Sequence, residues 1–395
     1  MHKRAIKHIE LHQFEFDWLN RGLGPNKAAG VGNGIYVKGA KIRVKRYAVT
    51  IEAEDGVRGE YVTHWVGTQA AMAQTAMLAP RMVGCDSEAR EEIFIDLKRE
   101  LRAYDRMGLG PLDIALWDLA GKRYGQPIKR MLGSFRDRLP TYASAYVGQE
   151  EPGGICSPEA SADYAEHCKK LGFAGYKIHA WPQGKTRREI DNLFAVRARV
   201  GDDMKLMIDT TCHLRSWQDA LAVGRACDEA GYFWYEDPYR DGSASTFGHR
   251  KLRDFINTPI MIGEYVRGLE PKYELLLNGA TDMLHLDPEY DMGITGAMKL
   301  AHACEMLGVD VQYHACGPAH RHCVAATRNT HMYEMALIGP DMPNCIPPVY
   351  TCGYGDQEAN LEADGCVPTP DGPGLGVSYD WKYIEKNRTA HMVFN

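Results

Sequence analysis

The spacing of hydrophobic and polar positions changes along the chain and predicts two kinds of element. Near the start, apolar and polar residues roughly alternate from Ile9 to Phe16 and from Ile42 to Glu52, which is typical of antiparallel strands. The stretch between them, Leu19 to Gly34, is rich in glycine and predicts a long loop. Helical periodicity follows at residues 70–83, 86–104 and 111–124.

From about residue 139, short apolar runs alternate strictly with helical stretches. This alternation predicts βαβ units and a parallel sheet, and eight such strands predict a TIM-type barrel. The predicted strands are Thr141–Val147, Tyr176–Trp181, Leu206–Asp209, Tyr232–Glu236, Ile260–Glu264, Met283–Asp287, Val309–His314 and Met332–Ile338. The predicted helices are Ser161–Leu171, Glu189–Val200, Trp217–Glu229, Gly248–Ile256, Pro271–Leu277, Thr295–Leu307 and a short segment after Pro318.

Composition and charge argue against several classes of protein. The chain has 395 residues, 45% of them hydrophobic, and a formal net charge of −6, without a large basic patch. We find no long apolar run, no signal peptide and no CxxC pair among the eleven cysteines. The glycines at 30–34 do not form GxGxxG and precede no helical pattern, so a dinucleotide site is not expected. We therefore expect a cytoplasmic protein that binds neither nucleic acid nor a membrane.

Three acidic residues end consecutive predicted strands. Asp209, Glu236 and Glu264 are separated by 27 and 28 positions, which is one strand–helix unit each. In a barrel this spacing brings them together at the carboxyl ends of the strands. Any one of them alone could be a solvated loop carboxylate, but three adjacent carboxylates repel each other. Because Mg²⁺ prefers oxygen ligands, we predict one Mg²⁺ per subunit on these three residues.

Two further pairs of residues predict proton transfer beside this cluster. Lys177 and His179 lie two apart on one strand, so both project to the same side. Asp287 and His314 end neighbouring strands, where an aspartate fixes the tautomer of an imidazole. A lysine stem beside a core histidine, and a structural Asp–His pair, are the alternative interpretations.

A cluster of cysteine and histidine after the seventh strand could suggest zinc. Its spacing lacks CxxC and HExxH, and Pro318 interrupts it, so zinc is not expected there. His320 and His322 are interpreted as loop residues, with His320 as a substrate contact.

The order of these motifs resembles the enolase superfamily, in its mandelate racemase-like subgroup (the mandelate racemase/muconate lactonizing enzyme family). The resemblance rests on Lys177-x-His179, Asp209, Glu236-Asp237-Pro238, Gly263-Glu264, Asp287, His314 and Glu334. The stretches 110–122 and 370–376 also resemble family signatures, so the match covers nearly the whole chain.

The resemblance implies an α/β fold, with a modified TIM barrel of (β/α)7β type and an α+β N-terminal capping domain. We expect the capping domain at 1–135, the barrel at 136–345 and a C-terminal segment at 346–395 that completes the capping domain. The resemblance further implies the Mg²⁺ ligands named above, a loop at 19–34 that closes over the substrate, and a homo-oligomer between a dimer and an octamer. Glu334 sits where the subgroup has a carboxylic acid that hydrogen-bonds the substrate carboxylate. His179 departs from the second lysine of many members.

Such a site removes the proton α to a carboxylate. Since His179 and His314 offer one base and one acid, we favour dehydration of a small sugar acid to a 2-keto-3-deoxy acid. The base is His179 or Lys177; His314 acting alone is also open. The predicted hydroxyl-binding residues are Asn33, Tyr146 and His320.

Three other functions are considered beside the dehydratase, and each predicts different chemistry. A racemase, epimerase or cycloisomerase would use the same residues without loss of water. A two-metal amidohydrolase would need an HxH pair on the first barrel strand, which Tyr142–Tyr146 lacks. A non-catalytic protein with this fold would normally have lost part of the metal or base set.

Overall fold

A computed structural model describes residues 4–22, 35–150, 152–182, 184–240, 242, 245–342 and 346–395. Most of the predicted 19–34 loop, including Asn33, therefore lies outside the described residues. Residues 19–22 belong to the first strand rather than to a loop, so the loop's predicted start was wrong. The reason is pairing with the second strand, which puts Arg21 opposite Tyr36 and Gly22 opposite Ile35.

The N-terminal part is an antiparallel sheet covered by helices. Its strands are β1 (Ile6–Gly22), β2 (Ile35–Ala53) and β3 (Arg58–Val62), and its helices are α1 (Gln69–Met82), α2 (Arg90–Glu100), α3 (Gly110–Tyr124) and α4 (Ile128–Met131). Both predicted strands are present and extend beyond the alternating stretches. Ile9 and Leu11 of β1 are buried in the core, as their alternation requires.

The middle of the chain alternates eight strands with seven helices. The elements are β4 (Arg138–Ala145), α5 (Pro158–Leu171), β5 (Gly175–His179), α6 (Thr186–Val200), β6 (Lys205–Asp209), α7 (Trp217–Ala230), β7 (Trp234–Glu236), α8 (Thr246–Arg253), β8 (Ile260–Ile262), α9 (Leu269–Leu277), β9 (Met283–Leu286), α10 (Gly293–Met306), β10 (Val311–Tyr313), α11 (Pro318–Ala326) and β11 (Tyr333–Ile338). This order confirms the predicted (β/α)7β arrangement.

Several helices begin where a serine caps them. Ser157 accepts the N–H of Ala160 with its hydroxyl, and Pro158 occupies the first turn. Helix α5 therefore starts three residues before the predicted Ser161. Ser216 caps α7 in the same way, through the N–H of Asp219. Among the residues that the structure describes, no helix has the length and apolar character needed to cross a membrane.

The eight strands form one curled parallel sheet, in the order β10-β9-β8-β7-β6-β5-β4-β11. The ends of this order meet, because the side-chain amide of Gln312 on β10 donates to the carbonyl of Met332 beside β11 at 2.9 Å. Inside the sheet, a buried layer of large side chains fills the end opposite the carboxyl termini of the strands. It contains Tyr142, Met207, Trp234, Met261, Met283 and Met332.

The end of the chain returns to the N-terminal sheet. Strand β12 (Cys366–Pro368) pairs antiparallel with β4, helix α12 (Trp381–Lys386) follows, and β13 (Arg388–Phe394) pairs antiparallel with β1. The resulting four-stranded sheet has the order β13-β1-β2-β3. The boundaries at 135/136 and 345/346, and the oligomeric state, stay predictions.

Candidate active site

Parallel pairing sets acidic residues side by side at the carboxyl ends of the strands. His179, Asp209 and Glu236 end β5, β6 and β7 and lie opposite one another in register. Glu264 follows β8 after Gly263, which has a φ of +133°. A Cβ at Gly263 would lie 2.9 Å from the carbonyl oxygen of His285, so glycine is required for this turn.

Lys177 lies at the centre of the carboxylate cluster. Its ammonium nitrogen is 3.0 and 3.1 Å from the two carboxylate oxygens of Glu236 and 2.9 Å from Oε1 of Glu334. It is 3.9 Å from Oδ2 of Asp209. Lys177 is fully buried, and although burial lowers its pKa, Glu236 and Glu334 raise it well above the usual value. The lysine therefore carries a fixed positive charge.

The donor set of the cluster fits a hard divalent cation. Oxygen atoms of Asp209, Glu236 and Asp237 lie within 4.8 Å of one another, and donors of Glu236, Glu264 and His285 form a second such group. Burial raises the pKa of Glu236 well above its usual value; the charge of Lys177 opposes this shift, and the neighbouring carboxylates add to it. Burial also raises the pKa of Glu264, although the charge of His314 opposes the shift. A bound cation would relieve this repulsion, so the residues present suit Mg²⁺.

His179 presents one nitrogen to the cluster. Its Nδ1 lies within hydrogen-bond distance of the Ala145 carbonyl oxygen, and its Nε2 is 3.0 Å from Oδ2 of Asp209. Because a carbonyl oxygen only accepts, Nδ1 carries a hydrogen. Nε2 is therefore the ring nitrogen that faces the carboxylate cluster.

His314 and Asp287 form a hydrogen-bonded pair beside the cluster. Nδ1 of His314 is 2.6 Å from Oδ2 of Asp287, and its Nε2 is 3.4 Å from Oε1 of Glu264. Burial lowers the pKa of His314, but Glu264 and Asp287 outweigh burial and raise it to about 9. Tyr290 stacks on the ring at a centroid distance of 5.6 Å. The protonated imidazole is thus held in one orientation.

Glu334 completes the site from β11. Its carboxylate accepts the backbone N–H of Ala315, which has a φ of +63°. Burial raises the pKa of Glu334, but the charges of Lys177 and His314 reverse this and lower it to about 2. Glu334 is consequently ionised in this state, so a hydrogen bond to a substrate carboxylate would need a proton gained with that substrate.

Comparison with known proteins identifies the family. The model of the enolase C-terminal domain-like family matches residues 160–383, and that of the mandelate racemase/muconate lactonizing enzyme N-terminal domain matches residues 41–133. The chain belongs to the enolase superfamily, in its mandelate racemase-like subgroup.

Individual members of the superfamily are similar over most of the chain. Arabinonate dehydratase of Saccharolobus solfataricus is 26% identical, covering 84% of this chain and 87% of its own. D-galactarolactone cycloisomerase of Agrobacterium fabrum is 28% identical, with 90% and 93% covered. The crystal structure of D-glucarate dehydratase from Agrobacterium tumefaciens complexed with magnesium is 28% identical, with 98% and 100% covered and a TM-score of 0.84.

The residues predicted to bind substrate in this superfamily member have different surroundings in the structure. Tyr146 is buried, accepts the N–H of Ile155 at 3.3 Å and stacks with Tyr36 at 6.0 Å. His320 and His322 were interpreted as loop residues, and this was wrong, because both are fully buried in helix α11. Nε2 of His320 lies 3.2 Å from Oδ1 of Asp287, behind the His314 pair. The substrate-binding roles of Asn33, Tyr146 and His320 stay predictions.

Three residues near the site were not predicted from the sequence. His285 is fully buried two residues before Asp287, with Nδ1 3.3 Å from Oε1 of Glu236. The period-two argument used for Lys177 and His179 would have found it. Trp65 lies 6.1 Å from the His314 ring, and Glu289 accepts the backbone N–H groups that hold Trp65. Both depend on contact between the N-terminal sheet and the barrel, which local patterns do not encode.

Proposed function

We propose that the protein is a lyase, a Mg²⁺-dependent dehydratase that converts a sugar acid into a 2-keto-3-deoxy acid. The observation that carries the proposal is the placement of two proton-transfer groups on opposite sides of one carboxylate cluster. Lys177 and His179 contact Glu236 and Asp209 from one side, while His314 contacts Glu264 from the other. Dehydratases among the similar proteins support this reaction class.

One Mg²⁺ per subunit would be held by Asp209, Glu236 and Glu264. When bound, it would supply positive charge to the carboxylate of the substrate as an ene-diolate develops. Lys177 adds a second positive charge beside the cluster, since it lies between Glu236 and Glu334.

His179 is the proposed base. Its Nε2 takes the α proton, and the electrons of the broken C–H bond form the ene-diolate. Nδ1 stays bonded to the Ala145 carbonyl, so the ring keeps its orientation while its charge changes. The ammonium of Lys177 is engaged by two carboxylates and is assigned an electrostatic role rather than that of the base.

His314 is the proposed acid. Its Nε2 gives a proton to the β-hydroxyl, the C–O bond breaks as the ene-diolate electrons move, and water leaves. The product enol then becomes the 2-keto-3-deoxy acid by protonation at C3. Asp287 stabilises the imidazolium and fixes Nε2 toward the pocket through the 2.6 Å contact with Nδ1.

A second candidate is isomerisation without loss of water. It is favoured by the similarity to D-galactarolactone cycloisomerase over 90% of the chain. The same residues would remove the α proton, and the reaction would differ in what the acid protonates.

Proton NMR in D₂O with Mg²⁺ and pools of acid sugars separates the two candidates. A new deoxy methylene signal with loss of substrate is expected for the dehydratase. Exchange of the α proton without dehydration would favour the isomerase. The His314→Asn variant should retain exchange and lose dehydration, whereas His179→Asn should lose both. Full turnover by His314→Asn would remove His314 from the mechanism.

A further inference from the structure

A second group of metal-ligand side chains lies on the N-terminal sheet, away from the active site. His12 of β1 lies directly opposite His391 of β13 in the antiparallel register, and Glu10 is two residues before His12 on the same face. Nε2 of His391 is 2.7 Å from Oε2 of Glu10, and Nε2 of His12 is 3.3 Å from the same oxygen. The two imidazoles stack at 4.4 Å with an interplanar angle of 22°. We call Glu10, His12 and His391 the β1–β13 histidine cluster.

His12 is the buried member of this cluster, and one of its ring nitrogens lacks a hydrogen bond to any described residue. The residue is 5% exposed, and its Nε2 makes no hydrogen bond within the described part of the chain. Ligand atoms of Glu10, His12 and His391 lie within 4.8 Å of one another. Histidine nitrogen and carboxylate oxygen are both common zinc ligands.

We propose that the β1–β13 histidine cluster binds Zn²⁺ through Glu10, His12 and His391. Zinc bonds to histidine nitrogen and carboxylate oxygen are about 2.0–2.2 Å, so tetrahedral donors lie about 3.3 Å apart. The distance between Nε2 of His12 and Oε2 of Glu10 already matches, and the contact between His391 and Glu10 has to open by roughly 0.6 Å. Because a metal binds in the plane of each imidazole and the two rings stack nearly parallel, the exposed His391 ring also has to turn toward the ion. Two histidines and one carboxylate leave a fourth position for water.

The proposed ion would join the two ends of the chain. Glu10 and His12 lie on β1, near the start, and His391 lies on the last strand, at the edge of the sheet. An ion that binds only the paired strands stabilises them against separation in proportion to its occupancy. His8 is a nearby further donor, because its Nε2 is 3.6 Å from Oε1 of Glu10.

Arg388 competes with the ion in the metal-free protein. Its Nη1 lies 3.5 Å from Nδ1 of His12, and an arginine can only donate. A zinc ion on Nε2 needs the hydrogen of His12 on Nδ1, so the guanidinium has to move away. Arg388 is exposed and can do so. Removing Arg388 should therefore strengthen zinc binding.

The test is isothermal titration calorimetry. The protein is first stripped of metal with EDTA and dialysed into excess Mg²⁺, and ZnCl₂ is then titrated into it. Wild type should bind one more Zn²⁺ per chain than His391→Asn, and zinc should raise the melting temperature of wild type but not of His391→Asn. Loss of one ligand should weaken binding about 100-fold or more, since even outer partners change affinity 10–100-fold. Arg388→Ala should bind roughly two- to fivefold more tightly.

The control is His167→Asn, which removes an exposed histidine paired with Glu358 at 3.0 Å and should leave binding unchanged. His391 is also exposed, so His391→Asn should fold, and circular dichroism checks this before titration. Equal zinc stoichiometry and affinity in wild type and His391→Asn would overturn the proposal, whatever the behaviour of His12 variants.

Discussion

The carboxylate of Glu289, in the barrel, accepts the backbone N–H of Trp65, in the N-terminal part, at 2.6 Å. The same carboxylate accepts three more hydrogen bonds, from the N–H groups of His64 and Val66 and from the hydroxyl of Tyr61, at 2.7 to 2.9 Å. Glu289 is fully buried, so its negative charge has lost contact with water. Among the described residues, these four hydrogen bonds are what offsets that cost. One side chain thus fixes the segment that places Trp65 against His314.

Glu289→Gln should destabilise the protein and slow catalysis together. An amide offers one acceptor oxygen, and its NH₂ would face N–H donors, so buried groups would lose partners. Hydrogen bonds to charged groups contribute about 1.5–3 kcal/mol each, so we expect a loss of about 2–4 kcal/mol in the free energy of unfolding. Urea denaturation measures this loss, and turnover should fall as well because Trp65 no longer covers His314. Glu270→Gln, at an exposed pair with Lys98, is the control and should change neither quantity.

Asp287→Asn should abolish most dehydration while sparing proton exchange. The asparagine cannot stabilise the imidazolium of His314, so the acid step should slow by about 10²–10⁴-fold. Since His179 lies on the other side of the cluster, exchange of the α proton in D₂O should persist. Turnover and exchange are measured on the same samples by NMR.

The chain offers a matched control for Asp287→Asn. Asp310 and His331 form another Asp–His pair, at 2.7 Å, but both side chains are more than 40% exposed. Asp310→Asn should leave turnover unchanged. Equal dehydration rates in the two variants would show that Asp287 is a structural partner of His314 only.

The barrel could be predicted from sequence because its elements repeat a local pattern. Each buried strand is a short apolar run, and each helix has a 3.6-residue period, so the order of elements follows from residues near each other in the chain. Element ends were less accurate: the predicted strand Ile260–Glu264 ends at Ile262, since the turn at Gly263 redirects the chain. The end of β1 was predicted too early, because the part of β2 that pairs with residues 19–22 lies beyond a glycine-rich stretch of sequence.

The site residues that could be predicted from the sequence are those with a reactive side chain that also lie at the end of a strand. Asp209, Glu236 and His314 end strands or follow them directly, so their shared location follows from the barrel. His285 lies inside β9 among apolar residues, and only its position two residues before Asp287 marks it in the sequence. Glu289 could not be predicted because its partners come from residues 61–66. The short helix predicted after Pro318 is confirmed by α11, but the burial of His320 was missed because it depends on a contact with Asp287, 33 positions earlier in the chain.

Glu264→Gln should have opposite effects on the metal-free and metal-bound protein. Burial raises the pKa of Glu264, although the charge of His314 opposes the shift, so the buried carboxylate is destabilising when no metal is bound. The amide has the same shape without the charge, and the free energy of unfolding in EDTA should rise. Stabilisation by added Mg²⁺ should disappear, because one oxygen anion of the cluster is lost. Thermal melts with and without Mg²⁺ measure both effects.

The exposed Glu385 provides a control for this prediction, since Glu385→Gln should keep the full stabilisation by Mg²⁺. A Glu264→Gln variant that Mg²⁺ stabilises as much as wild type would exclude Glu264 from the metal site.

Glu189→Gln should change how stability depends on pH. Glu189 of α6 is fully buried, and its Oε1 accepts the N–H of Trp181, two residues after His179, at 3.1 Å. Burial raises the pKa of Glu189 from 4.5 to about 8, although Trp181 and Arg188 lower it in part. Because the folded pKa exceeds the unfolded one, the folded state holds more protons between these values, and stability falls as pH rises through that window.

The glutamine keeps the acceptor for Trp181 and cannot ionise, so the variant should escape this fall. The difference in the free energy of unfolding between variant and wild type should be small near pH 4.5 and grow to a few kcal/mol above pH 8. Urea denaturation at a series of pH values measures it. Asp191→Asn, at an exposed pair with Arg187 on the same helix, should show no such growth. A constant difference between Glu189→Gln and wild type across this range would mean that Glu189 is already ionised at its buried position.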